Sequence, residues 1–97
     1  NPTTGAHEKT YPFATRREVD ALLDNSWKSF QEYRTTSFAQ RADMLRNVAK
    51  NLLAKKQEYG KIITTEMGKP INSAIAEVEK CAHACEYVPK FTSSFLF

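Results

Sequence analysis

Apolar residues recur every three or four positions along most of the chain, and this spacing predicts helices. The first such stripe follows Thr15 and consists of Val19, Leu22, Leu23, Trp27, Phe30 and Tyr33. Steps of three and four match the 3.6-residue turn of an α-helix, so we predict a helix from Thr15 to Tyr33. Thr15 and Glu18 also have the spacing of a capping box, in which each side chain binds a backbone amide of the first turn.

A second stripe begins after Ser37, which has capping-box spacing with Gln40. Its members are Leu45, Val48, Ala49, Leu52, Leu53, Tyr59, Ile62, Ile63 and Met67. We predict one helix from about Ser37 to Met67. A kink or short break is expected near Gln57 to Gly60, because a glycine inside a helix costs about 1 kcal/mol relative to alanine. Gly68 is suited to end this helix, since glycine adopts the left-handed conformation found after a last turn.

A third helix is expected from about Pro70 to Tyr87, because proline suits the first helical turn. Its stripe consists of Ala74, Ile75, Val78, Cys81, Ala82 and Cys85. Pro89 is expected to stop this helix, since proline inside a helix costs about 3 kcal/mol or more. Residues 90–97 show no helical period and form an apolar tail.

The N-terminal segment lacks a helical period. Asn1–Gly5 is rich in turn-forming residues, and Lys9 to Phe13 could be extended. Any short strand or hairpin is expected within the first fourteen residues. The sequence therefore predicts a mainly α fold with three helices. Its segments are a turn or extended region over 1–14, a helical part over 15–88 and an apolar tail over 89–97.

Composition places the chain among globular proteins and limits it to one domain. It has 97 residues, of which 41% are hydrophobic and 26% charged, which argues against disorder. No apolar run approaches the roughly 20 residues that cross a bilayer, and the N-terminus has no secretory apolar core. The net charge of +3 is scattered, which argues against a nucleic-acid partner. Two cysteines are too few for a disulfide framework, so we expect a cytoplasmic location.

Cys81 and Cys85 lie one helical turn apart and admit two interpretations. They could form half a metal site or a redox pair, or they could be small packing residues. Zinc needs four ligands, and His83 points about 200° around the helix from Cys81. We therefore favour burial, which is common for free cysteine. His7 lies in a polar loop without a nucleophile at a useful spacing, so we interpret both histidines as surface residues.

The remaining charged residues indicate solvent-exposed surface. Glu77, Glu79 and Glu86 are interpreted as one solvated helix face, and the basic pairs Arg16–Arg17 and Lys55–Lys56 as exposed charge. The sequence contains no GxGxxG, Walker, HExxH or GxSxG motif. From the residues alone we assign no catalytic, cofactor-binding or metal-binding position.

Five segments in fixed order nevertheless carry a family resemblance. They are Asn1–Gly5; Phe13–Thr15 with Glu18–Asp20; Tyr33–Arg34 with Ser37–Arg41; Ile62–Pro70; and Ala76–Cys81. Their order and spacing resemble the start of NAD(P)-dependent aldehyde dehydrogenases, including the family's "NPxTGE" turn and "E-x-GKP" element. The resemblance extends from Asn1 to about Tyr87. The sequences EMGKP and EVEKC are most similar to those of the succinate-semialdehyde dehydrogenase branch.

This resemblance implies a role that depends on a longer protein. Members of the family have a Rossmann-type cofactor domain, a catalytic cysteine that attacks the aldehyde, and a glutamate that activates water. Cys81 and Cys85 do not match the catalytic motif, so neither inherits the nucleophile's role. The resemblance implies an N-terminal helical layer of an enzyme that oxidises an aldehyde, such as succinate semialdehyde, to the carboxylate with NAD or NADP. We expect the chain alone to be inactive and to bind no cofactor.

A second hypothesis is a stand-alone helical module that derives from this family and acts by self-association. It rests on the apolar residues Phe91, Phe95, Leu96 and Phe97, which could form an adhesive patch. Under either hypothesis, three helices should leave apolar surface uncovered. We therefore expect a partner, either the remainder of the enzyme or a second copy, and no nucleic acid or membrane.

Overall fold

Four helices account for most of the computed structural model, which describes residues 1–96 and their side chains through residue 91. They are α1 (Arg16–Tyr33), α2 (Phe38–Ala54), α3 (Lys56–Met67) and α4 (Ile71–Leu96). Residues 1–96 contain no strand, so the mainly α fold is confirmed, although with four helices instead of three. Among the described residues, no helix is long and apolar enough to cross a membrane.

Both predicted capping boxes are present and set the starts of α1 and α2. The amide of Glu18 donates to Thr15 Oγ1 and the amide of Thr15 donates to Glu18 Oε2, each at 3.2 Å. At the second site the amide of Gln40 donates to Ser37 Oγ at 3.2 Å, and the amide of Ser37 donates to Gln40 Oε1 at 2.8 Å. Each start therefore satisfies amides that the helix itself leaves without acceptors.

The helix predicted from Ser37 to Met67 is two helices, and the break lies at Lys55 instead of near Gly60. Lys55 has φ −110° and ψ 17°, which interrupts the helical backbone. Gly60 is buried inside α3, where an added Cβ would lie 2.7 Å from Ile75 Cγ1 and 3.2 Å from the Ile75 nitrogen. The glycine permits close approach of α4, so its role is in packing and not in bending the helix.

The turn between α3 and α4 follows the prediction, but the end of α4 does not. Gly68 adopts φ 79° and its amide donates to the Thr64 carbonyl at 2.9 Å, as expected for a residue that ends a helix. The predicted stop at Tyr87 is wrong, because α4 continues through Pro89 to Leu96. Pro89 is half-buried and lines a groove together with residues of α2, and the helix continues although proline removes one of its hydrogen bonds.

This result also changes the interpretation of the C-terminal tail. Residues 90–96 are helical, although they lack the apolar period that predicts a helix. The predicted patch of Phe91, Phe95, Leu96 and Phe97 lies largely outside the described side chains. Of its members, only Phe91 has a described side chain, and its ring packs against that of Tyr87 with centroids 4.6 Å apart.

The core is small and lies where α4 packs against α2 and α3. Its fully or nearly buried residues are Ala49, Gly60, Ala74, Val78 and Ala82. Within the described chain, α1 does not pack along any other helix; it meets α2 only at its C-terminal end, through Arg41. The radius of gyration is 17.8 Å, whereas a compact domain of this length has about 12.5 Å. The protein is therefore a packed body of three helices, α2–α4, with α1 attached as an arm.

Candidate functional site

The cysteines do not form a chemical centre, and one of them does not lie where it was predicted. Cys81 is exposed and Cys85 is half-buried, both as free thiols. The buried line of α4 runs through Ala74, Val78 and Ala82, and Cys81 lies about 60° around the helix from Val78, at the edge of that line. The prediction of burial is therefore wrong for Cys81. Among the described residues, no three His, Cys, Asp or Glu side chains form a group that could hold a metal ion.

Both histidines are surface residues, as predicted. His7 is exposed, and its Nε2 lies 2.7 Å from Thr10 Oγ1 in the N-terminal loop. His83 is exposed on α4.

Two lysine–glutamate pairs join α4 to the chain that precedes it. Lys56 Nζ on α3 donates to Glu79 Oε1 on α4 at 2.8 Å, and Lys69 Nζ donates to Glu77 Oε2. The hydrogen bond from Lys56, and then its positive charge, lower the pKa of the Glu79 carboxyl below its ordinary value of 4.5. The interpretation of these residues as purely solvated was incomplete. Sequence reasoning missed both pairs because their members are not neighbours on one helix.

Two of the resemblance segments touch each other in the fold. A Cβ added to Gly68 would lie 3.2 Å from Pro2 Cγ, so the N-terminal turn lies against the turn between α3 and α4. The N-terminal turn is held by Asn1 Oδ1, which accepts hydrogen bonds from the amides of Thr3 at 3.0 Å and Thr4 at 3.3 Å. The Asn1–Gly5 and Ile62–Pro70 segments therefore form one structural unit next to the Lys69–Glu77 pair.

The apolar side of α1 is an exposed surface available for binding. Leu22, Leu23 and Trp27 are each 63–64% exposed, and the rings of Trp27 and Phe30 pack with centroids 5.7 Å apart. We refer to this surface as the α1 face, which comprises Val19, Leu22, Leu23, Trp27, Phe30 and Tyr33. A continuous exposed apolar stripe of this kind is typical of a protein–protein contact.

Comparison with known protein families identifies the class of protein to which the chain belongs. The family model described as the aldehyde dehydrogenase family matches residues 1–95. The chain belongs to the aldehyde dehydrogenase family. The match extends beyond Tyr87, where the resemblance found in the sequence ended.

Individual aldehyde dehydrogenases show the same relationship. The chain is 40% identical over 96 residues to a probable succinate-semialdehyde dehydrogenase [NADP(+)] of Synechocystis sp.. It is 39% identical over 87 residues to the succinate semialdehyde dehydrogenase [NAD(P)+] Sad of Escherichia coli. It is 40% identical over 96 residues to succinate-semialdehyde dehydrogenase [NADP(+)] 1 of Mycobacterium tuberculosis. The matches cover 90–99% of this chain but only 19–21% of the relatives, so the chain spans about a fifth of their length.

The three glycines of the chain are the residues to compare with a nicotinamide dinucleotide site. Such a site needs glycines that let backbone amides approach a pyrophosphate at the start of a helix. Gly60 is covered by Ile75, Gly68 is covered by Pro2, and Gly5 lies in an N-terminal turn remote in sequence from any helix start. The predicted lack of cofactor-binding and catalytic residues in this chain stays a prediction.

Proposed function

We propose that this chain forms the N-terminal helical part of an NAD(P)-dependent aldehyde dehydrogenase whose substrate is succinate semialdehyde. The observation that carries the proposal is the family match over residues 1–95, together with three relatives named for this substrate. In that enzyme the chain contributes scaffold. The cofactor, the nucleophile and the water-activating base belong to segments outside this chain, and the cytoplasm is the expected location.

The exposed surface of the chain supports this role. The accessible area is 8144 Å², whereas a folded protein of 11.1 kDa exposes about 5700 Å². The α1 face contributes to the excess, because all six of its apolar residues are exposed and no other helix packs along it within the described chain. The remainder of the enzyme is the covering partner that we propose for this face.

An activity assay tests the proposal directly. The full-length product of the gene that encodes this chain should oxidise succinate semialdehyde with NAD+ or NADP+, and faster than it oxidises uncharged aldehydes of similar size. The 97-residue chain should show neither turnover nor calorimetric binding of either nucleotide. Micromolar nucleotide binding by the short chain would contradict the assignment of all chemistry to other segments. A full-length product without aldehyde oxidation would contradict the proposed function itself.

The α1 face also supports a second candidate function, a self-associating helical module. In this case two copies would cover each other's α1 face, and no catalytic domain would be required. The intact mass of the natural product separates the candidates, because a product of 11.1 kDa supports the module and one several times larger supports the enzyme. Light scattering of the chain should then show association, whereas a compact monomer would contradict the module.

A further inference from the structure

The joint between α1 and α2 contains an arginine that contacts both helices. Arg41 belongs to the first turn of α2, yet its side chain extends back to the end of α1. Its Nε donates to Thr36 Oγ1 at 2.9 Å, and its Nη2 donates to the carbonyls of Tyr33 at 3.2 Å and Arg34 at 3.4 Å. These are the contacts by which a residue of the helical body holds the end of the arm.

Aromatic rings on both helices fix the guanidinium from its faces. Its central carbon lies 4.7 Å from the ring centroid of Tyr33 on α1 and 6.0 Å from that of Phe38 on α2. Both distances are in the range of cation–π attraction. Arg41 is half-buried, so these interactions are less screened by water than those of a fully exposed arginine.

The end of α1 needs a positive charge from elsewhere. The last turn of a helix presents carbonyl oxygens with partial negative charge, which cations stabilise. The last turn of α1 contains no basic residue, so Arg41 supplies this charge from α2. Thr36 Oγ1 completes the arrangement, because it donates to the Tyr33 carbonyl at 2.6 Å while it accepts from Arg41.

We propose that Arg41 is a positioning residue that fixes the direction of α1 relative to the body of α2–α4. Apart from the contacts of Arg41, no other helix packs against α1 in the described chain, so the joint sets that direction. The consequence is that the α1 face is held in one orientation before it meets its partner. Such preorganisation lowers the entropy lost on docking, whichever partner covers the face.

The test measures the distance between α1 and α4 in the 97-residue chain. Spin labels are placed at Cys81, with Cys85→Ala, and at Asn25→Cys on the polar side of α1, both being exposed positions. The labelled chain is diluted into excess unlabelled chain, so that pulsed electron resonance reports only distances within one molecule. Arg41→Ala, Arg41→Lys and Thr36→Val are compared in this background. Arg46→Ala is the matched control, because Arg46 pairs with Asp43 on α2 itself at 2.9 Å.

We expect one narrow distance distribution in the parent chain and in Arg46→Ala. Arg41→Ala should lose the narrow distribution, while Thr36→Val and Arg41→Lys should broaden it less, because each keeps part of the contact set. The melting temperature of the body should change no more in Arg41→Ala than in Arg46→Ala, which separates positioning from general stability. A broad distribution in the parent chain would overturn the proposal. So would an Arg41→Ala distribution as narrow as that of the parent.

Discussion

The α1 arm and the α2–α4 body use similar amphipathic patterns with opposite results. On α1, Val19 is 42% exposed and Trp27 is 63% exposed. On α4, Ala74 and Ala82 have no exposed surface and Val78 is 5% exposed. A stripe of apolar residues therefore predicts that a helix has a packing face, but it does not show that the partner lies in the same chain.

The size of the apolar residues accounts for the difference. Ala49, Gly60, Ala74 and Ala82 are small, so α2 and α3 can approach α4 closely and bury a core with little volume. The α1 face carries large aromatic and branched residues, which need a broad surface to cover them. Because packing supplies most of a helix's stability, α1 depends on its caps until that surface is present.

The substitution Gly60→Val tests the close packing of α3 against α4 in the body, and it should have the largest effect on stability. A valine side chain would meet Ile75 at both its Cγ1 and its backbone nitrogen, so α4 must move away from α3. We expect a loss of about 3 kcal/mol in the free energy of unfolding, as for severe overpacking of a core. Chemical denaturation of the 97-residue chain measures this loss.

Lys61→Val is the matched control for this substitution. It introduces the same side chain at the next position, which is exposed. Its cost should be less than about 1 kcal/mol, from helix propensity alone. Equal losses in the two variants would mean that Gly60 is not a packing contact.

The comparison between arm and body is tested most directly by two valine truncations. Val78→Ala should cost about 1–3 kcal/mol, because it empties space in the buried line of α4. Val19→Ala should change the stability of the isolated chain by no more than about 0.5 kcal/mol, because the side chain packs against no other helix.

The difference in stability between Val78→Ala and Val19→Ala should be smaller in a full-length enzyme. There, Val19→Ala should also destabilise, because the proposed partner covers the α1 face. Thermal melts of both variants in both contexts provide the measurement. If Val19→Ala proved harmless in the full-length enzyme, the proposal that the remainder covers this face would be contradicted.

Local signals in the sequence predicted local structure accurately. The starts of α1 and α2 follow from Thr15 with Glu18 and Ser37 with Gln40, and the end of α3 follows from Gly68. In each case the decisive contacts join residues within one turn, so spacing alone contains the information. The mainly α fold follows for the same reason.

Features that depend on distant residues were not predictable in the same way. The role of Gly60 depends on Ile75, and Glu79 meets Lys56 from another helix. The free-energy cost of placing a residue inside one helix does not show which contacts that residue makes with a second helix. The exposure of Cys81 was missed because the true centre of the packing face lies closer to Val78.

Loss of either capping box should cost about 1 kcal/mol, but the cost should appear in the body for one box and in the α1 arm for the other. Ser37→Ala should lower the unfolding free energy of the chain by that amount, because α2 is part of the packed body. Thr15→Ala removes an equivalent cap, but it does so at the end of α1 remote from the Arg41 contacts, so the loss should appear as fraying of α1 alone. Hydrogen exchange of the amides of α1 and α2 distinguishes the two. A lower melting temperature of the body in Thr15→Ala would reveal coupling between arm and body.

The smallest expected effect is the pH dependence of the Lys56–Glu79 pair. Lys56 holds the pKa of the Glu79 carboxyl below 4.5 in the folded chain, mainly by its hydrogen bond and also by its charge. A carboxyl with a lowered folded pKa stabilises the fold fully above its ordinary value, and this contribution disappears as the pH falls through the folded pKa. Both side chains are partly exposed, with 38% and 39% of their surface accessible, so water and salt weaken the pair.

Glu79→Gln should therefore be slightly less stable than the parent at pH 7, and the difference should disappear below pH 4.5. Glu86→Gln is the matched control, because Glu86 is an exposed carboxylate on the same helix that forms no ion pair with any described residue. Denaturation at pH 7 and at lower pH, in low and high salt, measures the contribution. A Glu79→Gln difference that persisted in strong acid would assign the effect to packing of the side chain. Because the pair joins α3 to α4, the variant should leave the hydrogen exchange of α1 unchanged, which again separates the arm from the body.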